Sequence, residues 1–457
     1  MSESCSQSRP NRKAGQRIRS VFAPRAAVVA TCAALVVAGC STDSEPATDS
    51  ETSNGSPAAA TTSGEASTGS ALNSIDPAGF QSVVDAAAKE MLVPGAVVLL
   101  RTPQGRFEAV VGTTELGAST PPDTGTHFRI ASNTKTLTAA LIVLLAQEGK
   151  LSFDDPISEY VPETPNGENI TVAQLLTMRS GLYNYTASTE LAAAMDADPA
   201  KAWTPQEVLD IAFAQPPDFP PGTDYEYSNT NYALLGLVAE AAGGSPLAQQ
   251  FQDRLFGPLG LQQTSLPAIE DTAIPDPYSH GYMYGGSAYA LVDEPYPADM
   301  QAAARDGTLQ PLDYTNQNSS YATAAGGAIS TADDMSAWIR ALVSGEVFDP
   351  EHQQQWLDSL QAEDPDAPDG QQYGYGISYQ RFGPNAAMYY HGGELPGFNS
   401  FMGHDPENDV TLVVWTNLTL SPEGETTANA LLPTILDEIY AGLSLAPSPT
   451  PMPGPTR

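Results

Sequence analysis

A serine and a lysine three residues apart are the first side chains in this sequence that could do chemistry together. They are Ser132 and Lys135, and a long apolar run follows them. If that run is a helix, both side chains project from one face, and the serine lies where free backbone N–H groups favour a developing anion. The spacing predicts a serine nucleophile with a lysine as its proton partner, although a chance Ser-x-x-Lys explains the motif equally well when it is taken alone.

A lysine can act as a base only when it is neutral, so the surroundings of Lys135 matter. At an ordinary pKa of about 10.4, only about one lysine in 2,500 is neutral at pH 7. Catalytic lysines have pKa values of about 7–8, and this shift corresponds to roughly 4 kcal/mol. Burial on an apolar helix could supply that free energy, and we therefore expect Lys135 to be buried.

A second motif, Tyr227-Ser228-Asn229, follows a Pro-Gly turn and leads into another apolar run. A phenol can relay a proton, and a side-chain amide can hold the amide group of a substrate. The motif alone is weak, because Tyr314-Thr315-Asn316 has the same spacing and an ordinary turn explains either one. The position of Tyr227 ahead of an apolar run favours it, since a side chain there can point into a cleft.

The third motif is His391-Gly392-Gly393, at the end of a strand-like run. Two glycines let a ligand approach a strand edge closely, and the strand could then offer a backbone N–H group to an oxyanion. Taken alone, this segment is more simply interpreted as a turn with an incidental histidine.

Hydrophobic patterning predicts the elements that must position these motifs. Alternating or continuous apolar runs predict two early strands on either side of Gly105 and four late strands at 373–380, 385–391, 398–404 and 410–417. Helical periodicity and capping residues predict helices at 76–91, 133–148, 171–179, 204–215, 230–242 and 425–443. We therefore predict an α/β fold in which an antiparallel sheet is flanked by helices and carries an all-helical subdomain.

The start of the chain has the composition of an export signal. Residues 1–39 carry six Lys or Arg side chains against one acidic side chain, and their apolar stretch is too short to cross a membrane. The stretch ends in Val-Ala-Gly followed by Cys40, which resembles a bacterial lipobox, whose cysteine is lipidated. We predict a lipoprotein signal peptide over 1–39 and an extracytoplasmic protein anchored to the cell membrane through Cys40, with a plain signal peptide as the alternative.

Composition divides the rest of the chain. Residues 40–71 predict a flexible Ser/Thr-rich linker, and 444–457 form a Pro-rich tail. The functional domain lies between them over 72–443, and the residues within it divide into an α/β part at about 72–135 and 320–443 and a helical part at about 136–319.

The overall charge excludes several classes of function. The chain of 457 residues has a formal net charge of −35, which argues against nucleic acid as a partner and against electrostatic docking on anionic lipid. Its 3 cysteines cannot build a disulfide-stapled scaffold, and its histidines lack the spacing of metal motifs. We therefore expect a monomer without a metal or other cofactor.

The three motifs together resemble the serine β-lactamase and penicillin-binding superfamily. Ser-x-x-Lys, Tyr-x-Asn and His-x-Gly follow one another in that order, and the resemblance is greatest to the D-alanyl-D-alanine carboxypeptidase, class C β-lactamase and family VIII esterase group. Segments such as FRIASNTKTLTAALIVLLAQEGK, YSNTNYALLGLVAE and HGGELPGFNS strengthen it. The resemblance covers about residues 76–442 and implies the β-lactamase/transpeptidase-like fold.

The resemblance also implies roles for the catalytic residues. Ser132 would be the acylated nucleophile, Lys135 its base or proton partner, and Tyr227 an acid/base relay. The backbone N–H groups of Ser132 and Glu394 would form the oxyanion hole. Many relatives have Thr, Ser or Ala where this chain has Glu394, and a glutamate there does not suit an anionic substrate unless it points away.

The substrate-binding residues leave the activity open between three hypotheses. By the resemblance, Asn229, His391 and Gly393 would bind substrate, which would be a small peptide, a β-lactam or an ester. The first hypothesis is a D-alanyl-D-alanine carboxypeptidase-like amide hydrolase of cell-wall peptides, which needs a cation such as Arg381 for the substrate carboxylate. The second is an esterase or β-lactamase on the same site, and the third is a penicillin-binding lipoprotein without turnover.

Overall fold

A single antiparallel sheet organises the computed structural model, which describes residues 70–446. From one edge to the other, its strands are β2 (Gly105–Gly112), β1 (Gly95–Thr102), β12 (Val410–Thr416), β11 (Phe398–Asp405), β10 (Ala386–Leu395), β9 (Ser378–Gly383), β8 (Gln372–Tyr373) and β7 (Gln361–Ala362). The order places the first hairpin beside the last strand, and the long chain segment between β2 and β7 connects the two opposite edges of the sheet.

Two short pairs of strands lie outside this sheet. They are β3 (Phe128–Arg129) with β6 (Ile329–Ser330), and β4 (Tyr282–Met283) with β5 (Leu312–Asp313). The β4–β5 pair lies inside the segment 136–319, so that segment is mainly helical and not entirely so.

Most of the remaining regular structure is helical. The α-helices are α1 (Pro77–Glu90), α2 (Thr134–Gln147), α3 (Val172–Leu176), α4 (Thr189–Ala197), α5 (Pro205–Phe213), α6 (Asn229–Gly243), α7 (Leu247–Phe251), α8 (Gly257–Leu259), α9 (Ala288–Leu291), α10 (Ala298–Asp306), α11 (Thr323–Gly326), α12 (Ala332–Val343), α13 (Pro350–Asp358) and α14 (Thr427–Ile439). A π-helical turn over Gln252–Phe256 joins α7 to α8.

Local sequence signals explain where several helices begin. Asp76 accepts a hydrogen bond from the backbone N–H of Gly79 and is followed by proline, so α1 starts as predicted. At α5 the Thr204 and Glu207 side chains form a reciprocal capping box, which satisfies two backbone N–H groups. These caps place helix starts at points that the sequence already marks.

The sheet is covered on both faces. Val97 and Leu99 belong to the same buried cluster as Trp338 and Ile339 of α12. Side chains alternate along a strand, so the fully buried Val98 faces the other way, where α1 and α14 pack. The predicted antiparallel sheet flanked by helices is confirmed.

Helix α2 lies inside the protein, as its apolar sequence predicts. Its residues from Thr134 to Val143 are all buried, and it packs against α6 and α11. Gly376, at φ +70°, lets the chain pass beside it, because a Cβ there would lie 2.8 Å from the backbone oxygen of Lys135. The predicted strand 373–380 therefore breaks into β8 and β9 at this glycine.

The His-Gly-Gly motif lies within a strand and not at its end. Strand β10 continues past His391 and Gly393 to Leu395, and it pairs with β11 along that length. The expectation that the strand ends at His391 is wrong, because the apolar pattern stops at the glycines while the backbone pairing continues.

Several sequence predictions fall outside the described residues. They are the signal peptide at 1–39, Cys40, the linker up to residue 69 and the tail from residue 447. From Ala71 onward, the described chain belongs to one compact unit. Among residues 70–446, no helix combines the length and apolar character needed to cross a membrane.

Candidate active site

The predicted nucleophile lies in a tight turn directly before α2. Ser132 is the middle residue of a 3₁₀ turn, Ala131–Asn133. Ala131 adopts a φ of +49°, which is unusual for a residue with a side chain. The Asn133 amide holds the turn against β11 by donating to Ser400 Oγ at 2.9 Å. Surrounding contacts therefore fix a strained turn and with it the position of the serine.

Lys135 reaches back to Ser132 from the first turn of α2. Its Nζ atom lies 3.0 Å from Ser132 Oγ, 2.7 Å from Asn229 Oδ1 and 2.8 Å from the backbone oxygen of Ala325. The lysine is fully buried, as the sequence predicts. The structure thus brings the first two motifs together around one nitrogen.

The surroundings of Lys135 favour its neutral form. Burial lowers the pKa of Lys135 well below the ordinary 10.5. The oxygens of Asn229 and Ala325 can only accept hydrogen bonds, so they take the two N–H groups of a neutral amine. In a neutral amine the lone pair is then left for the Ser132 hydroxyl at 3.0 Å and can accept its proton, whereas a charged Lys135 donates to Ser132 Oγ across the same contact.

Tyr227 adds a neutral phenol beside the same pair. Its hydroxyl is hydrogen-bonded to Ser132, and burial raises its pKa above the ordinary 10. Lys135 Nζ lies 4.8 Å from the centre of its ring. A phenol that keeps its proton next to the nucleophile can donate that proton to a leaving group.

Asn229 is held in place by residues that the sequence did not indicate. Its backbone N–H donates to Asn184 Oδ1 at 3.0 Å, and its Nδ2 donates to Thr186 Oγ1 at 2.9 Å. Both partners lie more than forty positions earlier in the chain, in a segment without a recognisable motif. The contacts orient Oδ1 of Asn229 toward Lys135.

His391 is neutral and cannot serve as a cationic anchor. Its Nδ1 lies 2.6 Å from the backbone oxygen of Gly392, and its Nε2 lies 3.2 Å from the Tyr373 hydroxyl. Because a carbonyl oxygen only accepts, Nδ1 carries the proton and Nε2 accepts from Tyr373. Burial, and to a lesser degree Lys135, lowers the pKa of His391 to about 3.

Gly393 lets β10 lie against the nucleophile turn. A Cβ at this position would lie 2.3 Å from the backbone oxygen of Ile130 and 2.6 Å from Asn133 Nδ2. Only a residue without a side chain fits there. The next residue, Glu394, therefore follows directly after the point of closest approach between β10 and the turn.

A cavity of about 90 Å³ opens at this junction. The predicted residues that line it are Ser132, Tyr227, Asn229, His391, Gly393 and Glu394. The polar lining residues that sequence reasoning missed are Thr186, Asp293, Asn399 and Asn429. The two predicted oxyanion-hole residues both line the cavity, and their role stays a prediction.

Arg381 does not belong to this group. It lies on β9 opposite Ala387, four residues from His391, which corresponds to about 13 Å along a strand. Its guanidinium is exposed and lies 3.7 Å from a carboxylate oxygen of Glu407. The structure therefore does not bring Arg381 to the cavity, because the strand register carries it to a distant part of the sheet.

Two further features of the described residues concern possible ligands, namely metal-binding side chains and a second cavity. Residues 70–446 contain no group of three or more His, Cys, Asp or Glu side chains that could hold a metal ion. A larger, mainly apolar cavity of about 250 Å³ lies between α6 and the segment 319–327. None of the candidate catalytic side chains lines it, so it is not the site of the proposed chemistry.

Comparison with known proteins defines the class. Residues 80–434 match the family described as Beta-lactamase, which is most of the chain. The chain therefore belongs to the serine β-lactamase and penicillin-binding protein superfamily.

Individual relatives show how far the likeness extends. The Bacillus subtilis (strain 168) protein named penicillin-binding protein PbpX is 24% identical over 64% of this chain, and the alignment covers 62% of PbpX. The chain thus spans under two thirds of the length of that curated relative.

Two solved structures are covered almost completely. A D-stereospecific amidohydrolase from a Streptomyces species matches with a TM-score of 0.66 and 27% identity, over 79% of this chain and 99% of that one. The D-amino acid amidase of Ochrobactrum anthropi SV3, complexed with D-phenylalanine, matches with a TM-score of 0.66 and 27% identity, over 79% and 97%.

Proposed function

We propose that this protein is a serine amide hydrolase that cleaves derivatives of D-amino acids through an acyl-enzyme on Ser132. The observation that carries the proposal is the buried contact of 3.0 Å between Lys135 Nζ and Ser132 Oγ. Burial lowers the pKa of Lys135, and the amine has two acceptors for its N–H groups. These are the conditions in which a lysine can take the proton of a serine hydroxyl.

The proposed reaction has two halves. In the first, Ser132 Oγ bonds to the substrate carbonyl carbon while its proton moves to Lys135. The bond to the leaving nitrogen then breaks, and that nitrogen receives a proton through Tyr227, while Lys135 becomes neutral again. In the second half, water attacks the acyl carbon and gives a proton to the same groups. The bond to Ser132 Oγ then breaks, and that oxygen takes the proton back as the acid leaves.

The negative charge of the tetrahedral intermediates needs hydrogen-bond donors. We assign this role to the backbone N–H groups of Ser132 and Glu394, which belong to residues on two walls of the cavity. Gly393 brings these walls together, because a side chain there would collide with the nucleophile turn.

The lining of the cavity favours amides without a terminal carboxylate. Among the described residues that line it, none is Lys or Arg, and His391 is neutral. A D-alanyl-D-alanine carboxypeptidase needs a cation for the substrate carboxylate, and Arg381 lies elsewhere. The names of the two structural neighbours, an amidohydrolase and an amidase for D-compounds, support the amide alternative.

The same observation supports a second candidate, an esterase. A neutral acyl ester needs no partner for a carboxylate, so a cavity without Lys or Arg can accept it. A β-lactamase and a penicillin-binding protein without turnover use the same nucleophile, and they are outcomes of the experiment below.

The test is to follow four substrate classes and the protein mass together. The full chain is incubated with D- and L-phenylalaninamide, an acetylated peptide ending in D-Ala-D-Ala, p-nitrophenyl acetate and nitrocefin. We expect ammonia release from the D-amide, faster than from the L-amide, and none in Ser132→Ala. The exposed Ser82, changed to alanine, is the matched control and should retain activity.

Other results would favour a different activity. Faster release of D-alanine from the peptide would favour the carboxypeptidase, and ester cleavage without amide cleavage would favour the esterase. Rapid nitrocefin turnover would indicate a β-lactamase. A lasting nitrocefin adduct in the protein mass without turnover of any substrate would indicate a binding protein.

We also propose that the hydrolase acts outside the cell membrane, anchored through Cys40. The apolar stretch that ends in Val-Ala-Gly-Cys supports this, as a lipobox-like signal. Metabolic labelling with a fatty acid should tag the native protein and not Cys40→Ser. The matched control Cys5→Ser should still be tagged, and equal labelling of all three would contradict the anchor.

A further inference from the structure

The rim of the catalytic cavity is rich in hydrogen-bond acceptors. Glu394 of β10 and Asp293, which follows α9, both line it. Asn429, in the first turn of α14, lines it as well. No Lys or Arg stands among the described residues that line the cavity.

Asn429 offers an acceptor that the protein does not use. Its Oδ1 atom is buried and receives no hydrogen bond from the described residues. Its two other groups are occupied, because Nδ2 donates to Thr426 Oγ1 at 3.2 Å and the backbone N–H donates to Asn399 Oδ1 at 3.2 Å. A buried amide oxygen without a donor is costly, and a ligand that donates a hydrogen bond would satisfy it.

Glu394 and Asn429 face the same side of the sheet. Side chains alternate along β10, so Glu394 and Gly392 point to one face and His391 to the other. A Cβ built on Gly392 would lie 3.9 Å from Asn429 Oδ1. The carboxylate and the unused amide oxygen therefore approach the cavity from neighbouring positions.

Such a lining is complementary to a primary ammonium group. An ammonium has three N–H donors, no acceptor and a positive charge, whereas the rim has acceptors and negative charge. In an α-amino acid amide, the nitrogen of that ammonium lies only about 2.5 Å from the carbonyl carbon. A group that binds it must therefore lie close to the nucleophile, and Glu394 lines the same cavity of about 90 Å³ as Ser132.

We propose that Glu394, Asp293 and Asn429 bind the free α-ammonium of the substrate, so that the enzyme prefers D-amino acid amides and peptides with an unblocked amino terminus. This inference rests on the proposed amide hydrolase function and names its substrate class. It also gives a role to the glutamate that follows His-Gly-Gly, where an anionic substrate would be repelled.

The test uses two substrates that differ at the amino group, which is charged in one and acetylated in the other. D-Alanine p-nitroanilide and its N-acetyl derivative are compared by kcat/KM at pH 7. We expect the free amine to be preferred by tenfold or more. The preference should shrink as pH rises through the pKa of the substrate amine, about 7.7–8.0 for an ordinary α-amino group.

Variants assign the preference to the rim. Glu394→Gln keeps the shape and removes the charge, and we expect it to reduce the preference at least tenfold. Asp293→Asn should reduce it less, since only Glu394 lies on the strand that contacts the nucleophile turn. The exposed Glu425, just before α14, provides the matched control: Glu425→Gln changes the net charge equally and should leave the preference as it is.

The outcomes separate this inference from the proposed function. Equal or better cleavage of the acetylated substrate by the native enzyme would overturn the inference, and so would an undiminished preference in both Glu394→Gln and Asp293→Asn. If Glu394→Gln does not fold, the native enzyme and Asp293→Asn still decide. Failure of the proposed function looks different, because neither the free nor the acetylated amide would then be cleaved, whatever Ser132 does with an ester or a penicillin.

Discussion

The floor of the cavity and its rim use polar groups in opposite ways. On the floor, Lys135 is fully buried, and three oxygen atoms surround its nitrogen at hydrogen-bonding distance. On the rim, Glu394 and Asp293 are partly exposed acidic side chains. Burial removes charge from the floor, whereas the rim keeps acidic groups near water. We therefore propose that the floor determines reactivity and that the rim determines which substrates are accepted.

The largest effect should come from the nucleophile. Ser132→Ala removes the atom that is acylated, so we expect kcat to fall by about 10⁴-fold or more with every substrate. The penicillin adduct should vanish in mass spectrometry, while Ser82→Ala keeps it. An adduct that persists on Ser132→Ala would contradict the assignment of Ser132 as the nucleophile.

Loss of the base should come next and should alter the pH profile. Lys135→Ala is expected to lower kcat/KM by about 10²–10⁴-fold. In the native enzyme, the rate should rise with pH as Lys135 loses its proton and level off well below pH 10.5, because burial lowers that pKa. The variant should lack this rise, and an unchanged profile would show that another group is the base.

Two neighbouring glycines test how closely β10 lies against the nucleophile turn. Gly393→Ala places a Cβ 2.3 Å from the backbone oxygen of Ile130, so we expect a loss of about 1–3 kcal/mol in unfolding free energy and a lower kcat. Gly392→Ala meets nothing closer than 3.7 Å. Urea unfolding should therefore separate the two variants, and equal stability would contradict the close approach.

His391 should make the protein sensitive to acid. Its folded-state pKa is lowered to about 3, whereas the unfolded value is about 6.5. Between these values only the unfolded state takes up the proton, so stability is complete above about pH 6.5 and falls by up to about 1.4 kcal/mol per pH unit toward pH 3. His391→Gln should lose less Tm between pH 7 and pH 4 than the native protein, and an equal loss in the two proteins would contradict the lowered pKa of His391.

The smallest effect is expected at Arg381, outside both regions. Its exposed side chain and weak contact with Glu407 predict a change within about 0.5 kcal/mol for Arg381→Ala. The kcat/KM for any substrate should change by less than twofold. A loss of kcat/KM that is confined to peptides with a terminal carboxylate would show that Arg381 contacts the substrate after all. It would contradict the placement of Arg381 outside the substrate-binding residues.

The sequence predicted the floor better than the rim for a physical reason. Ser132 and Lys135 lie on one helical turn, so their distance follows from local geometry. The rim is built by long-range packing: Asp293, Asn399 and Asn429 come from separate segments that no local pattern connects.

The fold shows the same division between local and long-range information. Caps and periodicity located α1, α2 and α5, since these signals act within a few residues. Strand pairing decided that β10 continues through the two glycines, and register decided that Arg381 lies far from His391. Neither pairing nor register could be read from a single segment.

The rate of Ser132 acylation as a function of pH is the most direct test of the account. Mass spectrometry with a slowly hydrolysed penicillin gives the second-order rate constant for adduct formation from pH 5 to pH 11. A buried lysine with a lowered pKa predicts a rate that becomes constant well below pH 10.5. A rate that continues to rise tenfold per pH unit up to pH 10.5 would contradict the neutral Lys135 on which the account depends.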